Sequence, residues 1–257
     1  MSASHAAKKR FGQNFLHDPY VIERILRAIA PQPGQRLVEI GPGLGALTAP
    51  LLARTGELDV VEIDRDVIPH LRQACGDAPG LRITQADALQ VDYRRFAVDG
   101  QPLRLIGNLP YNISTPLLFH LLTHADAIAD MHFMLQKEVV DRMCAGAGDE
   151  AYGRLSVALA ARARVEHLFD VGPGAFKPAP QVWSAIVRVV PRAPDFEVRD
   201  WARFDAVVTA AFSQRRKTLS NALKSLLDAE RIRAAGIDPG IRAERLHPRD
   251  FAKLAAA

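Results

Sequence analysis

The chain is expected to fold as an α/β protein, with a mostly parallel twisted sheet carrying an antiparallel edge and a small all-α C-terminal domain. Three observations predict this. Short apolar strands alternate with amphipathic helical stretches through the first half, a glycine-rich turn follows the first long strand, and beyond Pro191 the strands give way to short helices. The boundary near residue 191 divides the chain into an expected catalytic domain, 1–191, and an expected helical domain, 192–257.

Asp18 followed by Pro19 is a strong helix start, an N-cap with proline at the first helical position. Val21, Ile22, Ile25, Leu26 and Ile29 give that helix one apolar face, and Pro31 and Pro33 end it. Arg36 to Ile40 reads as a buried strand running into Gly41-Pro42-Gly43-Leu44-Gly45, a turn that permits close approach of a ligand beside a helix reaching about Arg54. Leu58 to Asp64 and Leu81 to Gln85 are the next strands, and Leu103 to Ile106 a fourth, followed by a helix from Ser114 to Leu122. Asp130 to Leu135 is a strand and Gln136 to Met143 a helix; another helix opens near Tyr152, and Arg162 to Val171 leads into a strand. Gly172 to Pro180 is too crowded with glycine and proline for helix or central strand. Val182 to Val190 is the last strand, and a hairpin there would make part of the sheet antiparallel.

The composition is ordinary for a globular protein of 257 residues, with 48% apolar and 24% charged, which excludes wholesale disorder. The net charge of +4 is unevenly placed: residues 192–257 carry 13 Lys or Arg against 9 Asp or Glu, and the rest of the chain is balanced. A local excess also sits at Lys8, Lys9 and Arg10. Two basic ends on a neutral body point to a polyanionic partner, with a solvated helical face as the alternative for either one. Arg215, Arg216 and Lys217 stand at a helix start, which the helix dipole disfavours unless an anion is present, so they are candidate contacts to the phosphates of such a partner, with a simple exposed turn as the alternative. Cys75 and Cys144 form no C-x-x-C and signal neither a disulfide framework nor a metal site. A reducing, cytoplasmic setting and a monomer are expected, and no apolar run approaches the ~18 residues of a membrane span.

The chemistry concentrates at Asn108-Leu109-Pro110-Tyr111, a strand-to-helix junction of the kind where open α/β sheets place ligands. An aromatic amine is a poor nucleophile because its lone pair is delocalised into the ring. Two acceptors gripping its hydrogens, the Asn108 side-chain oxygen and the Leu109 carbonyl, would localise that lone pair. Pro110 fixes the turn, and Tyr111 offers a face for an unstacked base. The bland alternative is a proline turn before a helix. Glu62, about 20 residues past the glycine loop, can accept both hydroxyls of a ribose, and Asp87 the exocyclic amine of a purine, with a mere cap or turn residue as the alternative for either. Phe176, in the rigid loop, makes sense as a stacking wall, with a buried phenylalanine pinning the loop as the alternative.

These stretches, with Phe11-Gly12-Gln13-Asn14-Phe15-Leu16, Leu135 to Val140 and Phe176-Lys177-Pro178-Ala179-Pro180, resemble the S-adenosylmethionine-dependent ribosomal RNA adenine N6-dimethyltransferases, most closely the bacterial small-subunit type. The resemblance implies a Rossmann-like class I methyltransferase fold and S-adenosyl-L-methionine as cofactor. It also implies dimethylation of two adjacent adenosines in the 3′-terminal loop of 16S rRNA during subunit biogenesis. By the same resemblance Asn14 and Leu16 contact the cofactor, Gly41 its methionine part, Glu62 the ribose and Asp87 the adenine amine. Asn108 stands at both cofactor and target base, and Phe176 stacks on the target opposite Tyr111. Large-subunit rRNA or DNA adenine as substrate, an assembly factor with catalysis secondary, and a nicotinamide dehydrogenase are the competing readings. The last lacks the third glycine of the dinucleotide fingerprint.

Overall fold

The computed structural model describes residues 14–98, 100–214 and 216–257. Lys8, Lys9, Arg10 and Arg215 lie outside the described residues. The chain divides into two compact units: residues up to Val140 with Glu166–Pro191, and Asp141–Val165 with Arg192–Ala257.

The first unit opens with a two-residue strand, β1 (Phe15–Leu16), and helix α1 (Pro19–Ile29). The Asp18 carboxylate caps α1 by accepting from the N–H groups of Tyr20 and Val21, and the helix stops where Ala30 turns left-handed at φ 46°. Then come β2 (Leu37–Ile40), α2 (Thr48–Thr55), β3 (Leu58–Glu62), α3 (Ile68–Ala74), β4 (Leu81–Gln85), β5 (Leu103–Asn108), α4 (Ser114–Leu122), β6 (Ile128–Gln136) and α5 (Lys137–Cys144). After α6 (Arg154–Ala160), β7 (Ala163–Val171), β8 (Phe176–Lys177) and β9 (Ser184–Pro191) complete the strands.

Seven strands form one sheet in the order β4-β3-β2-β5-β6-β9-β7. β2 pairs in parallel with β3 and β5, β3 with β4 and β5 with β6, whereas β9 runs antiparallel to β6. The central strands β2 and β5 are buried on both faces, as strands covered by helices on both sides must be, whereas the edge strand β4 keeps Arg82 and Gln85 exposed. The chain steps from β2 outward to β4 and returns to place β5 on the other flank of β2. The carboxyl ends of β2 and β5 therefore border the crevice where the winding reverses. At the opposite end of β5, Arg104 grips Asp130 of β6 by two bonds of 2.8 and 3.1 Å and donates to the Ile29 carbonyl at 2.7 Å, pinning strand register away from the crevice.

The glycine- and proline-rich stretch, expected to be neither helix nor central strand, supplies β8 to a separate two-stranded ribbon with β1, outside the main sheet. One feature differs from the sequence expectation. Residues 141–165, expected within the first domain, group with the C-terminal helices α7 (Trp201–Phe212), α8 (Leu219–Ala222), α9 (Ala229–Ala234) and α10 (Pro248–Ala256). The reason is packing: Tyr152, Val157 and Ala161 are buried in one apolar cluster with Phe204, Val207, Leu223, Ile232 and Phe251. Among the described residues no helix is long and apolar enough to cross a membrane, and no group of three or more His, Cys, Asp or Glu could hold a metal ion.

Candidate active site

A cavity of about 280 Å³ opens at the carboxyl ends of β2, β3 and β5, lined by β1, the glycine loop, the ends of β3 and β4 and the turn after β5. Its floor is set by close backbone approach. Gly41 and Gly43 have φ of 67° and 54°, and the Gly41 N–H donates to the Val61 carbonyl at 2.9 Å, so the loop folds back over β3. Gly107 lets β5 lie against β2: a Cβ there would sit 2.6 Å from the Ile40 carbonyl oxygen. A side chain at 107 would push the next residue, Asn108, out of place.

Asn108 ends β5 with its amide held in one orientation, because Nδ2 donates to the Asn14 carbonyl at 3.0 Å. The Leu109 N–H donates to the Met134 carbonyl at 3.1 Å, and Ile113 N–H to the Pro110 carbonyl at 3.2 Å, which closes the turn. The Tyr111 hydroxyl and Ser184 Oγ are hydrogen bonded at 2.8 Å, and Ser114 Oγ donates to the Tyr111 carbonyl at 3.1 Å. Burial raises the Tyr111 hydroxyl pKa, so this group stays neutral.

Two carboxylates face the cavity from β2 and β3. Glu62 accepts from the backbone N–H of Asp64 at 2.8 Å and of Gly43 at 3.4 Å, so it is held rigidly against the glycine loop. Burial nevertheless raises its pKa, with those two N–H groups opposing the rise. Glu39 is 2% exposed and its Oε2 has no hydrogen-bond partner; neither has Thr48 Oγ1. Burial pushes Glu39 up to about 7; the nearby Thr48 hydroxyl, which completes no hydrogen bond to it, opposes this and the Glu62 charge adds to it. A lone buried acceptor of this kind is costly unless a cation or donor arrives. Asp87 closes the far side, its Oδ1 accepting from the Leu89 N–H at 2.9 Å.

Nine of the residues expected to form the site line this one cavity: Asn14, Leu16, Gly41, Glu62, Asp87, Asn108, Leu109, Pro110 and Tyr111. Phe176 does not. It pairs with Leu16 in the β1–β8 ribbon, and because successive strand residues alternate faces, Lys177 points outward and Phe176 inward. It is 3% exposed and sits in the apolar cluster that also holds Leu16, Leu47 and Val171. Arg216 and Lys217 are exposed on the second unit, between α7 and α8. Glu39 and Ser184 were not anticipated. A charged residue inside the otherwise apolar run Leu37-Val38-Glu39-Ile40 was a legible signal for the first; Ser184, 73 positions from its partner Tyr111, left none.

Comparisons with known proteins identify the family. A family model described as ribosomal RNA adenine dimethylase matches residues 4–257. The protein named Ribosomal RNA small subunit methyltransferase A of Pseudomonas putida is 55% identical over 252 residues, 98% of this chain and 94% of its own length. Among solved structures, a dimethyladenosine transferase from Plasmodium falciparum aligns with a TM-score of 0.76 at 26% identity, covering 93% of this chain and 95% of that one. A 23S rRNA methyltransferase, ErmE, aligns at 0.72 and 26%, covering 95% and 98%. With a sheet wound around one crevice, an Asn-Leu-Pro-Tyr turn at its rim and a family match over nearly its whole length, the chain belongs to the ribosomal RNA adenine dimethylase family.

Proposed function

We propose that this chain uses S-adenosyl-L-methionine to dimethylate N6 of two adjacent adenosines in the 3′-terminal loop of 16S rRNA, within the small ribosomal subunit or its precursor. It is an rRNA adenine methyltransferase by family, and the small-subunit substrate follows the names of relatives such as the Pseudomonas putida protein. The observation that carries the mechanistic reading is the Asn108 amide. With Nδ2 committed to the Asn14 carbonyl, its Oδ1 is the acceptor left to grip an amine.

The residues present fit the cofactor. A cationic sulfonium amino acid suits a cavity with a buried, unpartnered Glu39 Oε2. Glu62 would accept from the ribose hydroxyls, Asp87 from the adenine amine, Gly41 would lie against the methionine part, and Asn14 and Leu16 would cover it. When bound, S-adenosylmethionine supplies an electrophilic methyl group on sulfur.

The protein's own work is positioning and electrostatics. Asn108 Oδ1 and the Leu109 carbonyl would accept the two N6 hydrogens, favouring a pyramidal nitrogen whose lone pair is free to attack. Tyr111 would support the base by stacking, its ring fixed by the Ser184 bond. The target must leave the helical stack to enter, which suits a loop adenosine. No general base is needed, since the methylated nitrogen is acidic and loses its proton to water. A cytoplasmic monomer is the setting this reading assumes.

The test is nucleoside mass mapping of small-subunit and large-subunit rRNA after incubation with purified protein and cofactor. Dimethyladenosine at two neighbouring 16S positions is expected. Modification of large-subunit RNA alone, as the similarity to ErmE would allow, would overturn the substrate assignment.

A further inference from the structure

Trp183 is a large aromatic side chain left 55% exposed on the first unit. The protein's other tryptophan, Trp201, has its ring occupied: the Arg162 guanidinium lies 4.2 Å from its centroid and Phe204 packs edge-on at 5.7 Å. No ring or guanidinium among the described residues stacks on Trp183. Its six-membered ring lies over Gly172, 3.6 to 3.9 Å from where a side chain there would begin. The Trp183 carbonyl accepts from the Lys137 N–H at 2.9 Å, so its backbone is tied to the start of α5, directly after β6.

The position is continuous with the active site. Trp183 precedes Ser184, whose hydroxyl is bonded to the Tyr111 hydroxyl at 2.8 Å. The segment from Gly172 to Trp183 contains a single charged residue, the exposed Lys177, so its charge complements a phosphate backbone. An exposed indole one residue from Ser184, with no ring or guanidinium among the described residues stacked on it, has the chemistry of a platform for a single-stranded base.

We infer that Trp183 stacks on the nucleotide next to the adenosine being methylated, holding the splayed strand while the target enters the pocket beside Tyr111. Trp183 is thus a positioning residue for RNA. This rests on the proposed rRNA methyltransferase function, and the test separates the two.

The experiment measures methylation of unmethylated small subunits by the wild type, Trp183→Ala and Trp183→Phe. Binding is measured to a hairpin RNA of the 16S 3′ end, intact or with an abasic residue on either side of the target adenosine. Loss of one stacked base corresponds to about 5- to 150-fold in affinity. Trp183→Ala is expected to raise the KM and Kd for RNA within that range, leave kcat at saturating RNA within about twofold, and leave S-adenosylhomocysteine affinity and the thermal midpoint unchanged. Trp183→Phe is expected to recover most of the loss. With the flanking base removed on one particular side, Trp183→Ala should cost nothing further, since both changes delete the same contact. Additive losses on both abasic hairpins, or wild-type KM in Trp183→Ala, overturn the inference while leaving the enzyme's function standing. A wild-type protein that fails to methylate small subunits overturns both.

Discussion

Replacing Glu39 by Gln should stabilise the protein at neutral and alkaline pH. Glu39 is 2% exposed, its Oε2 has no partner, and the groups around it are poor counterparts: Glu62 carries like charge, Thr48 Oγ1 makes no hydrogen bond, and the Cys75 thiol is pushed up by burial and further by Glu39. The folded-state pKa of about 7 lies above the ordinary 4.5. Below pH 4.5 both folded and unfolded chains are protonated here and nothing is lost. Between there and pH 7 the unfolded chain ionises and the folded one resists, so stability falls as pH rises, then levels off above pH 7. A displacement of that size corresponds to roughly 3 kcal/mol. Gln removes this penalty with nearly the same shape, so the thermal midpoint at pH 8 should rise by about 6 to 12 °C. Near pH 4.5 the gain should vanish. Thermal unfolding of both proteins from pH 4.5 to 8 is the assay. A gain independent of pH, or a loss at pH 8, would refute the view that an uncompensated carboxylate lies under the cavity.

Three further outcomes follow from the same geometry. Cofactor affinity should strengthen as pH rises toward 7 and then flatten, because a cationic ligand favours ionised Glu39; calorimetry on Glu39→Gln should show that slope abolished. Gly107→Ala places a Cβ 2.6 Å from the Ile40 carbonyl oxygen and 2.8 Å from the Leu109 side chain, so it should cost roughly 1 to 3 kcal/mol in chemical denaturation and reduce methyl transfer more than cofactor binding. Tyr111→Phe keeps the ring and loses the Ser184 bond, so kcat/KM should fall by about tenfold or less, whereas Tyr111→Ala should lose much more.

The regular parts of the fold were legible because local chemistry alone dictates them. Asp18 and Pro19 start α1 wherever they stand, and the apolar strands β2 and β3 alternate with helices α2 and α3 at spacings that favour a parallel sheet. Glu62 could be placed by its distance from the glycine loop, since a strand, a tight turn and a helix take a nearly constant number of residues. Properties decided by distant packing were not legible. Phe176 is turned inward by a two-residue ribbon that joins positions about 160 apart, and no local pattern reveals which face such a ribbon buries. Residues 141–165 join the C-terminal helices because their apolar side chains complete that cluster, a fact invisible until the partners are assembled. Glu39 stood in plain view, but its lack of a partner is a property of the packed interior.

The most direct test of the central claim is methyl transfer by Asn108→Ala, measured with calorimetry of the cofactor on the same preparation. If the Asn108 amide grips the attacking amine, transfer to small-subunit RNA should fall by about 10²- to 10³-fold, with cofactor affinity far less affected. Methylation at the wild-type rate would contradict the account, as would a loss explained entirely by failure to bind the cofactor.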